Sequence, residues 1–117
     1  MYKWPSELKP LEFRGLVLEG VTFTTNTVSL LFDKGFHVTV ESRLSLTVGG
    51  VEEDVPIPPT KTHLTCLLGK TVQASGIDVD GASLLLTFND GCQLRLEGND
   101  DQYECFHIRA KGREFTV

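Results

Sequence analysis

Basic charge is scarce in this chain. Lys and Arg number 11 against 16 Asp and Glu, giving a formal net charge of −5 and a pI near 5.1. A duplex is gripped by cations that displace its counterions, so this balance disfavours nucleic acid as a direct partner. Aromatic residues interleaved with basic ones, the pattern that stacks single strands, are also missing. Cysteine is sparse and odd in number: Cys66, Cys92 and Cys105, with no CxxC pair. That excludes a dense disulfide framework and points to reduced thiols in a cytosol-like compartment. Nowhere do about 18 apolar residues run together, so no membrane span is expected. Met1 to Glu7 has no continuous apolar segment, so no secretory signal is expected either. No G-x-G-x-x-G or P-loop string supports nucleotide binding.

What is present is a pattern written twice. Leu30-Leu31-Phe32-Asp33-Lys34-Gly35-Phe36-His37-Val38-Thr39-Val40-Glu41 returns as Leu86-Thr87-Phe88-Asn89-Asp90-Gly91-Cys92-Gln93-Leu94-Arg95-Leu96-Glu97. Each copy is an alternating apolar/polar run, a polar turn closed by glycine, and a second alternating run. That pattern specifies a β-hairpin with one buried face. With 117 residues and 40% apolar content, the chain suits a single domain, 1–117, that packs a core without metal or staple.

Strand signals surround both hairpins. Residues 16–24 carry Val17, Glu19, Val21 and Phe23 in alternation, and Leu44 to Val48 reads as a fourth strand ending at Gly49-Gly50. The opening stretch, broken by Pro5 and Pro10, reads as an irregular arm that Trp4, Leu8, Leu11 and Phe13 anchor on the core. Pro56, Pro58 and Pro59 exclude a helix or a central strand around them. A helix is then expected over about 60–68. Thr60 or Thr62 serves as N-cap, Leu64, Leu67 and Leu68 form an i, i+3, i+4 stripe, and Gly69 ends it in the left-handed conformation. The strand series recurs over Thr71 to Ala110, followed by a Lys111-Gly112 turn and a terminal strand. The expected fold is mainly β with one short helix. Two antiparallel β-meander repeats, about 16–48 and 71–110, form a small sandwich or partly open barrel, related by an approximate two-fold axis.

Chemistry-bearing residues form no recognised motif. Cys92, Cys105, His107, His63 and His37 match no zinc spacing. Cys92 aligns with Phe36 on the inward face and reads as core. Tyr103, Cys105, His107 and Arg109 share a strand face, but the acidic loop before Cys105 opposes thiolate formation, so no enzyme is expected. Glu52, Glu53 and Asp54, or Asp78 and Asp80, do not supply a calcium loop. Neither metal nor cofactor is expected. The feature that remains is charge: Asp78, Asp80, Asp90, Glu97, Asp100, Asp101 and Glu104 fall between Gly76 and Glu104, opposed only by Arg95. The candidate partner-binding residues are Asp78, Asp80, Asn99, Asp100, Asp101, Tyr103 and Glu104, which combine electrostatic steering with an aromatic anchor.

The order of these elements resembles a family of small bacterial domains of unknown function. The likeness is carried by a Leu-x-Phe-x-Asp-Gly hairpin at Leu30 to Gly35 and Leu-x-x-Leu-Leu-Gly-Lys-x-Val at Leu64 to Val72. A second hairpin at Leu86 to Gly91 and Tyr-Glu-x-Phe at Tyr103 to Phe106 complete it. Lys34 departs from the pattern's aspartate, and Phe106 stands where tryptophan is frequent. Such domains look like some immunity proteins of bacterial toxin systems. The resemblance implies a cytoplasmic binding protein that neutralises a cognate toxin domain by direct contact. A basic toxin such as a nuclease would suit the acidic charge. The alternative is an assembly module that homodimerises through an exposed strand edge.

Overall fold

The alternating runs become strands because their period of two sends every second side chain into one shared core. A computed structural model describes residues 8–56, 63–78, 82–98, 106–110 and 112–117. It contains β1 (Leu18–Phe23), β2 (Val28–Phe32), β3 (His37–Val40), β4 (Leu44–Val48), β5 (Val51–Val55), β6 (Val72–Ile77), β7 (Leu84–Phe88), β8 (Gln93–Leu96), β9 (Phe106–Ala110) and β10 (Arg113–Thr116). They form two antiparallel five-stranded sheets, ordered β1-β2-β3-β9-β10 and β5-β4-β8-β7-β6. Buried side chains of both belong to a single cluster. The protein is a small open sandwich, not a closed barrel.

The pairings explain why neither hairpin series stands alone. β3 leads across residues 41–43 into β4, which pairs with β8 of the other sheet, Leu44 opposite Leu96. β9 in turn returns to pair with β3, Phe106 opposite Val40. Each sheet is thus completed by a hairpin from the other half of the chain. Phe32 lies opposite Leu18 and Phe88 opposite Val72, both buried, and a register shift follows at Leu18/Gly20 and at Val72/Ala74. The sheets are also stitched at one corner. Gly15 N–H donates to Val72 O, Gly69 N–H to Leu18 O, Leu18 N–H to Lys70 O and Val72 N–H to Leu16 O, at 2.8–3.0 Å.

Three local expectations need amendment. The helix over 60–68 is instead one 3-10 turn, Leu64–Leu67, with residues 60–62 outside the described set. Leu64 and Leu67 are buried, whereas Leu68 is 43% exposed. In a 3-10 turn only i and i+3 share a face, so the fourth-residue leucine swings outward. Gly69, at φ +82°, still ends the turn. The arm contains a second 3-10 turn, Pro10–Phe13, with Leu8 and Phe13 buried but Leu11 exposed. The segment after Gly49-Gly50 carries an edge strand, β5, that the sequence reading leaves out although the prolines exclude only a helix or a central strand. Both glycines have positive φ, +58° and +81°, and fold β4 back onto β5. Pro56 follows at once, tolerated because β5 is an edge.

Candidate functional site

Of the seven residues expected to meet a partner, Asp78 lies among the described residues. Asp80, Asn99, Asp100, Asp101, Tyr103 and Glu104 lie outside them. Asp78 is held within the fold. Its backbone N–H donates to Ser83 O at 2.9 Å, and its carboxylate meets Arg95 Nη1. The same guanidinium donates through Nε to Glu97 Oε1 at 3.1 Å and through Nη2 to Ser83 Oγ at 3.2 Å. Arg95 is therefore shared between Asp78 and Glu97, and the cluster keeps one net negative charge. Asp90 is also matched, by the ammonium of Lys70. The Lys70 hydrogen bond, with the Cys92 N–H at 3.0 Å, lowers the Asp90 carboxyl to a pKa of about 2. Lys70 is raised by the same bond. Asp78, Asp90 and Glu97, the described members of the lopsided acidity, thus all have cationic partners within the fold.

The thiols and imidazoles divide in a similar way. Cys92 is buried, and burial first, then the Asp90 carboxylate, raises its thiol. A buried thiol held protonated is a poor nucleophile. His107 sits on the outer face of the first sheet, with Nδ1 3.2 Å from Thr116 Oγ1 and Nε2 3.0 Å from Glu41 Oε2. Arg109 on that face donates to Glu114 at 2.8 Å. Tyr103 and Cys105, expected beside them, lie outside the described residues. Among the described residues, no group of three or more His, Cys, Asp and Glu is placed to hold a metal ion. No helix there is long and apolar enough to cross a membrane.

A site that sequence reasoning missed lies at the tip of the β4–β5 hairpin. The inner face of that hairpin runs Leu44, Leu46, Val48 on one strand and Val55, Glu53, Val51 on the other, in register. Leu44, Leu46 and Val55 are buried, but Val48 is 41% and Val51 71% exposed. Past Leu46 the core stops and a hollow of about 300 Å³ opens, lined by Leu46, Val48, Val51, Glu53, His63 and Cys66. His63 and Cys66 arrive from the 3-10 turn, where a spacing of three puts them on one side. Glu53 and His63 form the polar rim, Nδ1 lying 3.0 Å from Oε2 and 3.2 Å from Oε1. On the outward side of β5, Glu52 and Asp54 are exposed. The legible signal was Gly49-Gly50 between two valines, which marks a tight hairpin whose flanking residues face each other.

Chemically the hollow is a largely apolar socket beside three consecutive carboxylates, with an imidazole and a thiol in its lining. Fold and hollow together define an open antiparallel β-sandwich with a pocket at one hairpin tip. Comparison with family models then places the chain: it belongs to a family of unknown function, DUF6188, whose model matches residues 9–117. Neither the curated proteins nor the solved structures give a match.

Proposed function

We propose that this chain is a binding protein without catalysis, which holds another protein through the open hairpin tip and its acidic edge. The observation that carries this reading is the exposed pair Val48 and Val51 at a hollow bordered by Glu52, Glu53 and Asp54. Apolar side chains left at a concave edge, rimmed by one sign of charge, suit a partner that brings apolar side chains and opposite charge. The partner most consistent with this chemistry is a basic protein. An immunity role, in which the chain occludes a toxin domain with a cationic surface, follows from the same chemistry and from the family resemblance in the hairpins. A basic active site built to hold phosphate, as in a nuclease, is one surface of that kind.

Self-pairing through the edges of the second sheet, β5 and β6, has less support. β5 sets Glu52, Glu53 and Asp54 in succession, so two copies meeting there bring like charges together. The edge strand β6 is engaged by the arm, with Ser75 Oγ donating to Pro10 O at 2.6 Å. The decisive experiment is affinity capture from the native cell with identification of what binds, followed by reconstitution from purified components. The immunity reading expects a captured basic protein that harms a bacterial host when expressed alone and is tolerated when this chain is co-expressed. A chain that captures nothing, and sediments with a concentration-dependent mass, would favour the assembly reading instead.

A further inference from the structure

Resting on the binding reading, we infer that the hollow at the β4–β5 tip receives an aromatic side chain of the partner, next to an arginine or lysine that meets Glu53. The argument comes from the protein's own second hairpin. β9 and β10 pair as β4 and β5 do: Ile108 lies opposite Phe115, as Leu46 lies opposite Glu53, and Ala110 lies opposite Arg113, as Val48 lies opposite Val51. In β9–β10 the inner position is filled from within. Phe115 packs against the core, Ala110 is fully buried, and the Arg113 guanidinium stands 5.4 Å from the Phe115 ring centroid. In β4–β5 the same position carries Glu53, turned to His63, and the space a ring would fill is left as the hollow. One half of the fold therefore displays what satisfies this geometry, an aromatic ring with a cation over it. The other half lacks the ring and offers the carboxylate.

The lining agrees with that occupant. Leu46, Val48 and Val51 provide aliphatic walls, and the exposed Cys66 provides a polarizable sulfur of the kind that contacts ring edges favourably. Volume agrees as well, since about 300 Å³ lies at the lower end for ligand pockets and suits one side chain better than a drug-sized molecule. Charge selects the neighbour. Glu53 is half-exposed, its one described partner is a histidine 65% exposed, and Glu52 and Asp54 flank it, so an incoming cation is attracted and an anion repelled.

The test uses the whole protein and a blocked dipeptide, acetyl-Phe-Arg-amide, titrated by NMR, with acetyl-Ala-Arg-amide and acetyl-Phe-Glu-amide as controls. Expected are millimolar binding with shifts centred on Val48, Val51 and Cys66, and an affinity about tenfold above both controls. Slower alkylation of Cys66 at saturating dipeptide is the second readout. V51D raises the acidity but removes an apolar wall, so it should abolish binding. E53Q keeps the walls, so it should weaken binding severalfold and flatten its salt dependence. Shifts centred elsewhere, or equal binding of the controls, would overturn the inference. A captured protein partner whose affinity is unchanged by V51D would also overturn it, yet leave the binding reading standing. Selective dipeptide binding by a chain that captures no protein supports the pocket and removes the wider reading.

Discussion

At the scale of single residues, the two hairpin turns show how one substitution alters backbone chemistry. Asn89-Asp90-Gly91 closes with Gly91 N–H donating to Phe88 O at 2.9 Å, and only Gly91 takes a positive φ. The other turn places both Lys34, at φ +59°, and Gly35, at +78°, in the left-handed region. Lysine has no local hydrogen bond to offset the Cβ clash there, whereas asparagine tolerates it. Lys34→Asn should therefore stabilise the protein by about 0.5–1 kcal/mol, read from denaturant midpoints at unchanged slope. Asp90 makes a prediction about acid. Its folded pKa is depressed to about 2 by Lys70 and the Cys92 N–H, below the ordinary carboxylate value. Its contribution is thus present above the unfolded pKa near 4 and is lost as pH falls toward 2. The stability gap between wild type and D90N should close over that window, and carbon-detected NMR should find the Asp90 midpoint near 2. A midpoint near 4 would mean that Lys70 does not hold it.

At the scale of elements, the inward face was the most legible feature. Val28, Leu30, Phe32, Phe36, Val38 and Val40 are all buried, as are Leu84, Leu86, Phe88, Cys92, Leu94 and Leu96. A period of two is a direct print of burial, so strand positions carry their own evidence. The short turn at Leu64–Leu67 was misread because three leucines at i, i+3 and i+4 satisfy an α-helix on paper. The two patterns differ in one residue, Leu68, which an α-helix would bury with the stripe and a 3-10 turn leaves exposed. β5 was hidden for a different reason: its burial pattern alternates only at Glu53 and Val55, because the hollow leaves Val51 uncovered. Two variants test how the elements are held. Phe88 is fully buried where β7 meets β6, so Phe88→Ala should cost about 3–5 kcal/mol. Ser83 is equally buried, its Oγ accepting from the Gly98 N–H at 3.1 Å and from Arg95. Ser83→Ala strands a buried donor and should cost about 1–3 kcal/mol, although it deletes only one oxygen.

At the scale of the whole molecule, mutation separates the carboxylates of the net −5 charge that the fold uses from those that the proposed partner would meet. Asp78 and Glu97 share Arg95, and Asp90 is held by Lys70, so these carboxylates serve the fold. The hollow forms where the 3-10 turn meets the β4–β5 hairpin, a juxtaposition that no local pattern announces, which is why the charge count drew attention to Asp100 and Asp101 before β5. If a basic partner is steered by the remaining acidity, association should slow steeply between low and physiological salt, where the Debye length shortens to about 8 Å. Asp100→Asn with Asp101→Asn removes two charges while preserving side-chain shape. That double variant should slow association, and if both carboxylates are solvated it should leave stability within about 0.5 kcal/mol. Asp78→Asn should behave in the opposite way, lowering the thermal midpoint because Arg95 loses a partner, with little change in association rate. If Tyr103 anchors the partner, Tyr103→Ala should act mainly on dissociation, because truncating an anchor shortens residence. The measurement is stopped-flow association with the reconstituted partner across that salt range, paired with thermal unfolding of each variant. An unchanged rate for the Asp100/Asp101 double variant at every salt concentration would remove those two carboxylates from the steering surface and turn the search to the β5 edge, Glu52 to Asp54.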